Sequence, residues 1–390
     1  MLAANGGTRW VEVDLGALKH NYGEIRKMIG PTVKLLGVVK ADAYGLGALE
    51  VARVLEKSGI EMLAVTGVQE GQELREGGIK VPILVFSPFL PEEISALARY
   101  NLTATVASRQ AVAWLSQWQR EQGGTISVHL KVETGMGRFG LWPEEVVAVA
   151  REILSSPGLI LEGVYSHLAT ATWRNKSYSQ RQFRLFQEVC AELEKAGIKG
   201  LIRHIANSAA VLEMPEMSLD MVRVGTLLYG QAPSPQLSKK IKLKETWHCK
   251  AKVIYIRELP RGHSVGYGRT FKSRRNILVA VLPVGFTDGV QLEPLLKPAG
   301  LLDLLKGTAK LCLTYFGWDK FRPAVHFPGG AGRIIGKVGM QLTMVDVSAV
   351  KDLEVGMEAV VPMRRTAVNS SLPKVYLEDD IILAQSNIVS

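Results

Sequence analysis

Several side chains that could do chemistry follow directly after short apolar runs. Lys40 comes after Leu-Leu-Gly-Val-Val, and His167 ends a run that begins near residue 160. Arg138 lies in the glycine-rich segment ETGMGRFG, just beyond Lys131. An ammonium group that is partly desolvated at the end of an apolar strand has a lowered pKa, so it can act as a nucleophile or a base.

A second group of polar residues lies further along the chain. Asn207 and Ser208 follow one apolar run, and Arg223 with Gly225 ends the next. A lysine, a histidine, two arginines and a serine/glycine cluster suit an anionic ligand with a reactive carbonyl group. Pyridoxal phosphate has this character, because its aldehyde takes a lysine and its phosphate takes backbone N–H and hydroxyl groups.

Each of these residues also has a purely structural explanation. Lys40 could be a surface lysine, His167 a hydrogen-bonded core histidine and Arg223 an ion-pair partner. The glycines near Arg138 could simply form a turn. What favours a barrel enzyme with a phosphate cofactor is their shared position at strand ends, because active sites of such barrels lie there.

The elements that must position these residues alternate in type over the first 230 residues. The predicted strands are 33–39, 61–66, 83–86, 103–106, 126–132, 160–166, 201–205 and 220–224. The predicted helices are 46–57, 69–76, 91–100, 109–122, 143–155 and 178–196. Strands that alternate with helices pair in parallel, and eight of them close into a (β/α)8 barrel. An open doubly wound sheet is the alternative, but KADAYG stands where its GxGxxG turn would be.

Beyond residue 237 the pattern changes to short strand-like runs separated by Gly and Pro. The predicted strands are 250–256, 277–283, 333–338, 343–347, 359–361 and 375–377. This pattern predicts a separate, mostly-β domain. We therefore expect an α/β chain with a TIM-like barrel over residues 1–240 and a β domain over 241–390. Segment 292–332 fits neither; LLKPAGLLDLLKG looks helical, and YFGWDKFRPAVHFPGGAG looks like an aromatic loop.

Composition excludes several other classes. The 47 Lys+Arg and 37 Asp+Glu give a net charge of +10, but the positive charges are dispersed, so we expect no nucleic-acid partner. We find neither a signal-peptide pattern nor an apolar run long enough for a membrane span. The 3 cysteines are far apart and suggest neither a disulfide framework nor a metal site. A cytoplasmic location fits best.

The segment VVKADAYGLG (38–47) resembles the pyridoxal phosphate attachment site of alanine racemases. The similarity continues in register through HLKVETGMGRFG (129–140), GVYSHLATA (163–171), HIANSAA (204–210), MVRVGTLLYG (221–230), VGYGRTF (265–271), LPVGFTDG (282–289) and GKVGM (336–340). It therefore spans nearly the whole chain and identifies it as a member of this fold-type III group. The resemblance implies a homodimer in which the partner's β domain completes each active site, and an L-/D-alanine racemase that supplies D-alanine for peptidoglycan.

The resemblance also implies catalytic roles. Lys40 would hold pyridoxal phosphate as a Schiff base and act as the base on one face of the substrate Cα. Tyr267 of the partner subunit would act on the other face, although a phenol is normally too weak a base at neutral pH. His167, linked to Arg223, would tune that tyrosine. Arg223 would face the pyridine nitrogen and leave it unprotonated, which suppresses decarboxylation and transamination.

The binding roles follow in the same way. Four residues would hold the phosphate, namely Tyr44, Ser208, Gly225 and Thr226, and Asn207 would bind the cofactor beside them. Arg138 and the Met340 backbone N–H would bind the substrate carboxylate. Lys131 would orient Arg138, and in some relatives this lysine is carbamylated.

Three features depart from the usual pattern of the family. Gly339 and Gln341 replace a cysteine and an aspartate beside Met340, and Phe286 replaces a tyrosine. The region between Val361 and Val375 is short and lacks a tyrosine that usually lies near the phosphate. A racemase for serine, lysine or ornithine is therefore the main alternative. A decarboxylase would need an acid in place of Arg223, and a non-catalytic homologue would have lost Lys40 or Tyr267.

Overall fold

The computed structural model describes residues 7–292, 300–315, 324–378 and 381–386. These residues form two compact units. The first unit is Asp14–Thr246, and the second contains the described residues up to Val13 together with those from Trp247 onward.

The elements are numbered in chain order. The strands are β1 (Arg9–Asp14), β2 (Lys34–Val38), β3 (Met62–Val65), β4 (Ile83–Val85), β5 (Ala104–Val106), β6 (Ile126–Lys131), β7 (Leu159–Tyr165), β8 (Ile202–His204), β9 (Met221–Val224), β10 (Trp247–Lys252), β11 (Tyr255–Leu259), β12 (Ser264–Val265), β13 (Phe271–Lys272), β14 (Ile277–Leu282), β15 (Val325–Phe327), β16 (Gly330–Ile334), β17 (Thr343–Asp346), β18 (Glu358–Val361), β19 (Lys374–Glu378) and β20 (Ile381–Ser386). The helices are α1 (Leu15–Ile29), α2 (Lys40–Gly45), α3 (Ala48–Lys57), α4 (Val68–Glu76), α5 (Ile94–Arg99), α6 (Arg109–Gln122), α7 (Val146–Ser155), α8 (Ser177–Lys195), α9 (Ser208–Glu213) and α10 (Leu301–Tyr315).

The first unit is the predicted barrel. Its parallel strands form two sheets, in the orders β4-β3-β2-β9 and β5-β6-β7-β8. A parallel bridge between Leu84 and Thr103 joins β4 to β5. The N–H of Asp220 donates to the Arg203 carbonyl (3.2 Å), which joins β8 to β9. All eight predicted strands are present, and together they form the TIM-like domain.

Helix α6 shows how the sequence builds the outer ring of this barrel. Ser108 caps its start by accepting a hydrogen bond from the Ala111 N–H at 3.2 Å. Gly123 ends the helix at a φ of 71°, which a glycine adopts without steric strain. Ala111, Val112 and Leu115 are buried on one face of the helix, and Val112 and Leu115 belong to the apolar spacing that predicted it.

The second unit is built around one ten-stranded sheet, as the mostly-β prediction required. The order is β11-β14-β17-β16-β15-β18-β10-β1-β19-β20, and β12 pairs with β13 in a separate hairpin. Strand β1 pairs antiparallel with β10, so that Trp10 lies opposite Lys250. Residues before Asp14 thus belong with the β unit, whereas the only domain boundary predicted from the sequence lay near residue 240. Their partners lie over 230 residues away, and the local pattern carries no signal of that pairing.

Two further differences concern the second unit. The single strand expected over 250–256 is two strands, β10 and β11, interrupted at Val253 and Ile254. In segment 292–332 the expected helix is present from Leu301 onward as α10. Residues 293–299 and 316–323, which include much of the expected aromatic loop, lie outside the described residues.

Candidate active site

A cavity of about 350 Å³ opens at the carboxyl ends of the barrel strands. Its wall brings together every barrel residue that the sequence analysis selected: Lys40, Tyr44, Lys131, Arg138, His167, Asn207, Ser208, Arg223, Gly225 and Thr226. These residues follow five different strands, and the closed barrel gathers those strand ends at one face. The other two predicted residues, Tyr267 and Met340, belong to the β unit.

Lys40 is placed by a left-handed turn that follows β2. Ala41, Asp42, Ala43 and Tyr44 have φ values of 50°, 53°, 52° and 58°. Such a conformation costs about 1–2 kcal/mol for each L-residue. The Asp42 carboxylate accepts from the Ala48 N–H at 2.8 Å, and Glu70 accepts from the Ala41 N–H at 2.5 Å. Strain of this kind is held where a fold must position a functional group.

The surroundings of Lys40 in the cavity lower the pKa of its amine. Burial lowers the pKa of the Lys40 amine, and the positive charge of Arg138 lowers that pKa further, while Glu70 opposes both effects. A neutral amine is the form that attacks a carbonyl carbon or takes up a proton.

Tyr44, Ser208 and Gly225 form a small polar cradle. The Gly225 N–H donates to the Ser208 hydroxyl at 3.2 Å. A methyl group at Gly225 would lie 2.4 Å from the Tyr44 hydroxyl, so a side chain there would occupy the space that this hydroxyl needs. Asn207 has a different local task, since its side-chain oxygen caps α9 by accepting from the Ala209 and Ala210 N–H groups. Hydroxyl and backbone N–H groups around an open space are suited to a phosphate.

Arg223 is buried in the cavity wall, and the groups that accept its hydrogen bonds within the described ranges are neutral. Its guanidinium donates to the Ser166 carbonyl (2.6 Å) and the Ile205 carbonyl (3.2 Å). It also contacts His204 Nδ1 (3.0 Å) and His167 Nδ1 (3.2 Å). Burial lowers the pKa of Arg223 to about 10, so the group stays charged near neutral pH.

The strand register places the residues around Arg223 in one layer. Lys131 pairs with Tyr165, and Tyr165 pairs with His204. The Tyr165 ring stacks on the His204 imidazole with centroids 4.9 Å apart, and the Arg223 guanidinium carbon lies 5.3 Å from the tyrosine centroid. Tyr165 and His204 were not among the site residues predicted from the sequence. The alternation of side chains along β7 could have indicated Tyr165, because it lies two residues after Gly163 and therefore on the same inward face of the strand.

The glycine-rich loop that carries Arg138 is organised by Glu133, a residue that the sequence analysis did not select. The Glu133 carboxylate accepts from the N–H groups of Gly135 and Met136, both at 2.5 Å. Lys131, at the start of the loop, donates to the Val132 carbonyl at 2.9 Å. Burial lowers the pKa of Lys131 to about 7, with the charge of Arg223 acting in the same direction.

In the β unit, Tyr267 and Met340 lie on exposed loops. The Tyr267 side chain is 80% exposed between two glycines of positive φ, Gly266 at 74° and Gly268 at 71°. Met340 is held through its carbonyl, which accepts from the Thr287 hydroxyl at 2.6 Å. A methyl group at Gly285 would lie 2.3 Å from that carbonyl, so this loop contact requires glycine.

Comparison with known proteins identifies the family. The model for "Alanine racemase, N-terminal domain" matches residues 13–233, and that for "Alanine racemase, C-terminal domain" matches residues 246–372. The chain belongs to the alanine racemase family. This confirms the resemblance expected from the sequence motifs, and with it the enzyme class, a pyridoxal phosphate-dependent amino-acid isomerase.

Individual relatives agree with this assignment. The chain is 36% identical to alanine racemase 1 of Caldanaerobacter subterraneus, over 90% of this chain and 84% of the relative. It is also 36% identical to alanine racemase of Desulforamulus reducens, over 94% and 98% of the two chains. The alanine racemase structure from Clostridium difficile has a TM-score of 0.86 at 28% identity, covering 98% of this chain and 99% of that one. A structure of the Bacillus anthracis enzyme with bound L-Ala-P has a TM-score of 0.83 at 26% identity, covering 97% of each chain.

Two further findings concern membranes and metals. Within the described ranges, no helix combines the length and the apolar character that crossing a bilayer requires. Nor do His, Cys, Asp and Glu side chains in this part of the chain assemble in threes as a metal site would require.

The cradle allows a first prediction. Gly225→Ala should weaken binding of pyridoxal phosphate by about tenfold or more, because the new methyl group displaces the Tyr44 hydroxyl. The dissociation constant can be measured by absorbance titration of the cofactor-free protein. Gly23→Ala in α1 is the matched control, since nothing lies within 4 Å of a methyl group there. Equal affinity of Gly225→Ala and the wild type would show that the cradle does not bind the phosphate.

Proposed function

We propose that the chain is an alanine racemase that interconverts L- and D-alanine with pyridoxal phosphate, as a homodimer with shared active sites. The observation that carries this proposal is one cavity lined by both Lys40 and Arg223, where neutral groups of the described residues accept the hydrogen bonds of the guanidinium. The D-alanine would serve peptidoglycan synthesis. A cytoplasmic location is part of the proposal, and Cys190, Cys249 and Cys312, all free thiols, support it.

The residues of the cavity fit pyridoxal phosphate. Lys40 supplies the amine that would hold its aldehyde carbon, and the cradle, together with Thr226, would hold its phosphate. Arg223 would lie at the pyridine nitrogen, where a guanidinium donates a hydrogen bond without giving up its proton. When bound, the cofactor supplies an electron sink for the charge left on the substrate Cα after deprotonation.

Racemisation needs one group to take the α-proton and another to return a proton from the opposite face. Lys40, whose pKa is lowered by burial, is suited to the first face. Tyr267 of the partner subunit is proposed for the second face. Its high exposure in a single chain and its fixed glycine turn support this role, since the side chain is presented outward on a defined loop.

His167 would act between Arg223 and that tyrosine. Burial lowers the pKa of His167 well below its ordinary value, and the charge of Arg223 lowers it further, so the imidazole is neutral. Since Arg223 can only donate, its contact with Nδ1 leaves the His167 proton on Nε2. His167 would therefore offer an N–H to the phenol oxygen of the second base.

Arg138 and the backbone N–H of Met340 of the partner subunit are proposed to bind the substrate carboxylate. The Glu133 contacts support this role for Arg138, because they order the loop that carries it. Lys131 would orient Arg138 after carbamylation, in which the neutral amine adds to carbon dioxide and releases one proton. A carbamate on Lys131 would place a negative charge beside the two cations Arg138 and Arg223.

One feature supports a racemase for a larger amino acid as a second candidate. Gly339 carries no side chain at the position where relatives usually have cysteine. A methyl group there would lie 3.1 Å from the Leu342 carbonyl, a tight contact that the present loop avoids. Serine, lysine and ornithine therefore belong in the substrate test.

The central prediction concerns substrate and Lys40 together. Purified protein loaded with cofactor should racemise alanine faster than serine, lysine or ornithine, as measured by chiral chromatography of single enantiomers. Lys40→Ala should lose both this activity and the visible absorbance of the bound cofactor. Lys34→Ala, at the opposite end of β2, should keep both. A preference for another amino acid would establish the second candidate, and a dialysis-stable visible band in Lys40→Ala would refute the role of Lys40.

Shared active sites make a separate prediction. Lys40→Ala and Tyr267→Phe chains, each inactive alone, should regain about a quarter of wild-type activity when they are co-expressed. About half of the randomly formed dimers are mixed, and each mixed dimer holds one intact site of its two. Differently tagged chains allow the mixed dimer to be purified and assayed. An inactive mixed dimer would mean that both bases come from one chain.

Carbamylation of Lys131 should depend on pH. With a pKa of about 7, the amine is mostly neutral at about pH 8 and mostly protonated at about pH 6, so carbamate should form at the higher pH and decline toward the lower one. Carbon-13 NMR in labelled bicarbonate should show a carbamate signal that Lys131→Arg abolishes. A signal that persists in Lys131→Arg would assign the carbamate to another amine.

A further inference from the structure

A pair of histidines lies behind Arg223, outside the cavity lining. His129 on β6 and His204 on β8 are both fully buried. His129 Nδ1 lies 2.9 Å from His204 Nε2, and His204 Nδ1 lies 3.0 Å from the Arg223 guanidinium. The three side chains thus form a continuous hydrogen-bonded chain that ends at the cavity wall.

The chemistry of these groups fixes the direction of each hydrogen bond. A guanidinium only donates, so His204 Nδ1 must accept and its proton must be on Nε2. His204 Nε2–H then donates to His129 Nδ1, which places the His129 proton on Nε2. Arg223 therefore determines the tautomer of both histidines, and each histidine is oriented by the next.

The outer end of the chain faces a carboxylate. Within the described part of the protein, His129 Nε2 is one of the buried nitrogens that have no hydrogen-bond partner. Glu162 Oε2 is 4.0 Å from it, too long for a hydrogen bond. The Ser127 hydroxyl donates to the other Glu162 oxygen at 2.7 Å, which holds the carboxylate beside the histidine.

The backbone is shaped around this contact. The register of β6 and β7 runs from Val128 opposite Leu161 to His129 opposite Gly163, so Glu162 is the extra residue of a β-bulge. Such bulges redirect a side chain. A methyl group at Gly163 would lie 2.7 Å from the His129 ring, so the ring occupies space that only glycine leaves open.

We propose that His129 and Glu162 are positioning residues for Arg223. Glu162 accepts the His129 Nε2–H through one bridging water, and His129 orients His204. His204 in turn holds the guanidinium in the plane that it needs at the cavity wall. The role assigned to Arg223 at the cofactor rests on the proposed function. The tautomers of His204 and His129 do not depend on that role.

The hydrogen-bonded residues from Glu162 to Arg223 do not transfer protons to the cavity. Arg223 interrupts any relay, because a guanidinium does not release its proton under these conditions. Burial lowers the pKa of His129 to about 3, and the charge of Arg223 acts in the same direction. Burial also lowers the pKa of His204 well below its ordinary value. The pair is therefore neutral during turnover and acts by orientation.

The first test reads the tautomers directly. In cofactor-loaded protein labelled with nitrogen-15 in histidine, long-range nitrogen–proton spectra should show His129, His167 and His204 all protonated on Nε2. Single substitutions assign the signals. A proton on Nδ1 of His204 or His129 would overturn the proposal whatever the substrate of the enzyme proves to be.

The second test separates positioning from stability. His129→Phe keeps a ring but removes both nitrogens, and should lower kcat about tenfold, the factor that one lost hydrogen bond represents. KM should change little, and the visible band of the bound cofactor should move. Val128→Ala, a buried neighbour outside the chain of contacts, is the control for loss of packing and should leave kcat and the band unchanged.

Glu162 provides a second route if His129→Phe does not fold. Glu162→Leu should reproduce the lower kcat and the shifted band, whereas Glu162→Gln should restore both, because an amide oxygen still accepts the His129 N–H. If Glu162→Leu and Glu162→Gln both behave like the wild type, Glu162 is not an acceptor and the proposal fails. If the wild type does not racemise amino acids, the proposed function fails, and the tautomer spectra alone decide the present inference.

Discussion

The burial of one guanidinium governs the active end of the barrel. A charge removed from water needs compensation, and among the described ion pairs none supplies a carboxylate to Arg223. Backbone carbonyls and imidazole nitrogens compensate it instead. Because these acceptors are neutral, they stabilise the buried guanidinium but do not neutralise its positive charge. The positive field then reaches into the cavity, where it lowers the pKa of Lys131 and His167 beyond the effect of burial.

That field explains why the cavity suits an electron-rich ligand. A carboxylate in place of the imidazoles would pair with Arg223 and neutralise the wall. Neutral histidines keep the guanidinium available, and the His204 ring is itself held by its contact with His129. Orientation and charge are therefore set by the same set of hydrogen bonds.

A second constraint is the left-handed turn after β2. Four consecutive non-glycine residues, Ala41–Tyr44, adopt positive φ, and side-chain acceptors from Asp42 and Glu70 hold them there. The turn brings Lys40 to the cavity and carries Tyr44 to Gly225. One strained segment thus places two of the proposed cofactor contacts. The β unit presents Tyr267 and Met340 on exposed loops, and the role proposed for them requires assembly with a second copy of the chain.

The sequence alone determined the barrel strands and the polar residues at their ends. Apolar runs of strand length between amphipathic segments are a local signal, and the strand-end rule then gathers Lys40, His167 and Arg223 without knowledge of any contact. The roles came from the family motifs. The pairing of β1 with β10 was not predictable, because it joins residues that are far apart along the chain.

Only the tertiary structure decided which side chains hold Arg223. His129, His204 and Tyr165 lie within strands whose local pattern indicates burial and nothing more. Their contacts depend on the register of neighbouring strands, and a shift by one residue would turn each side chain to the other face. The bulge at Glu162 is such a shift, and the local sequence pattern does not predict it. Local propensity thus selects the elements, while long-range register selects their partners.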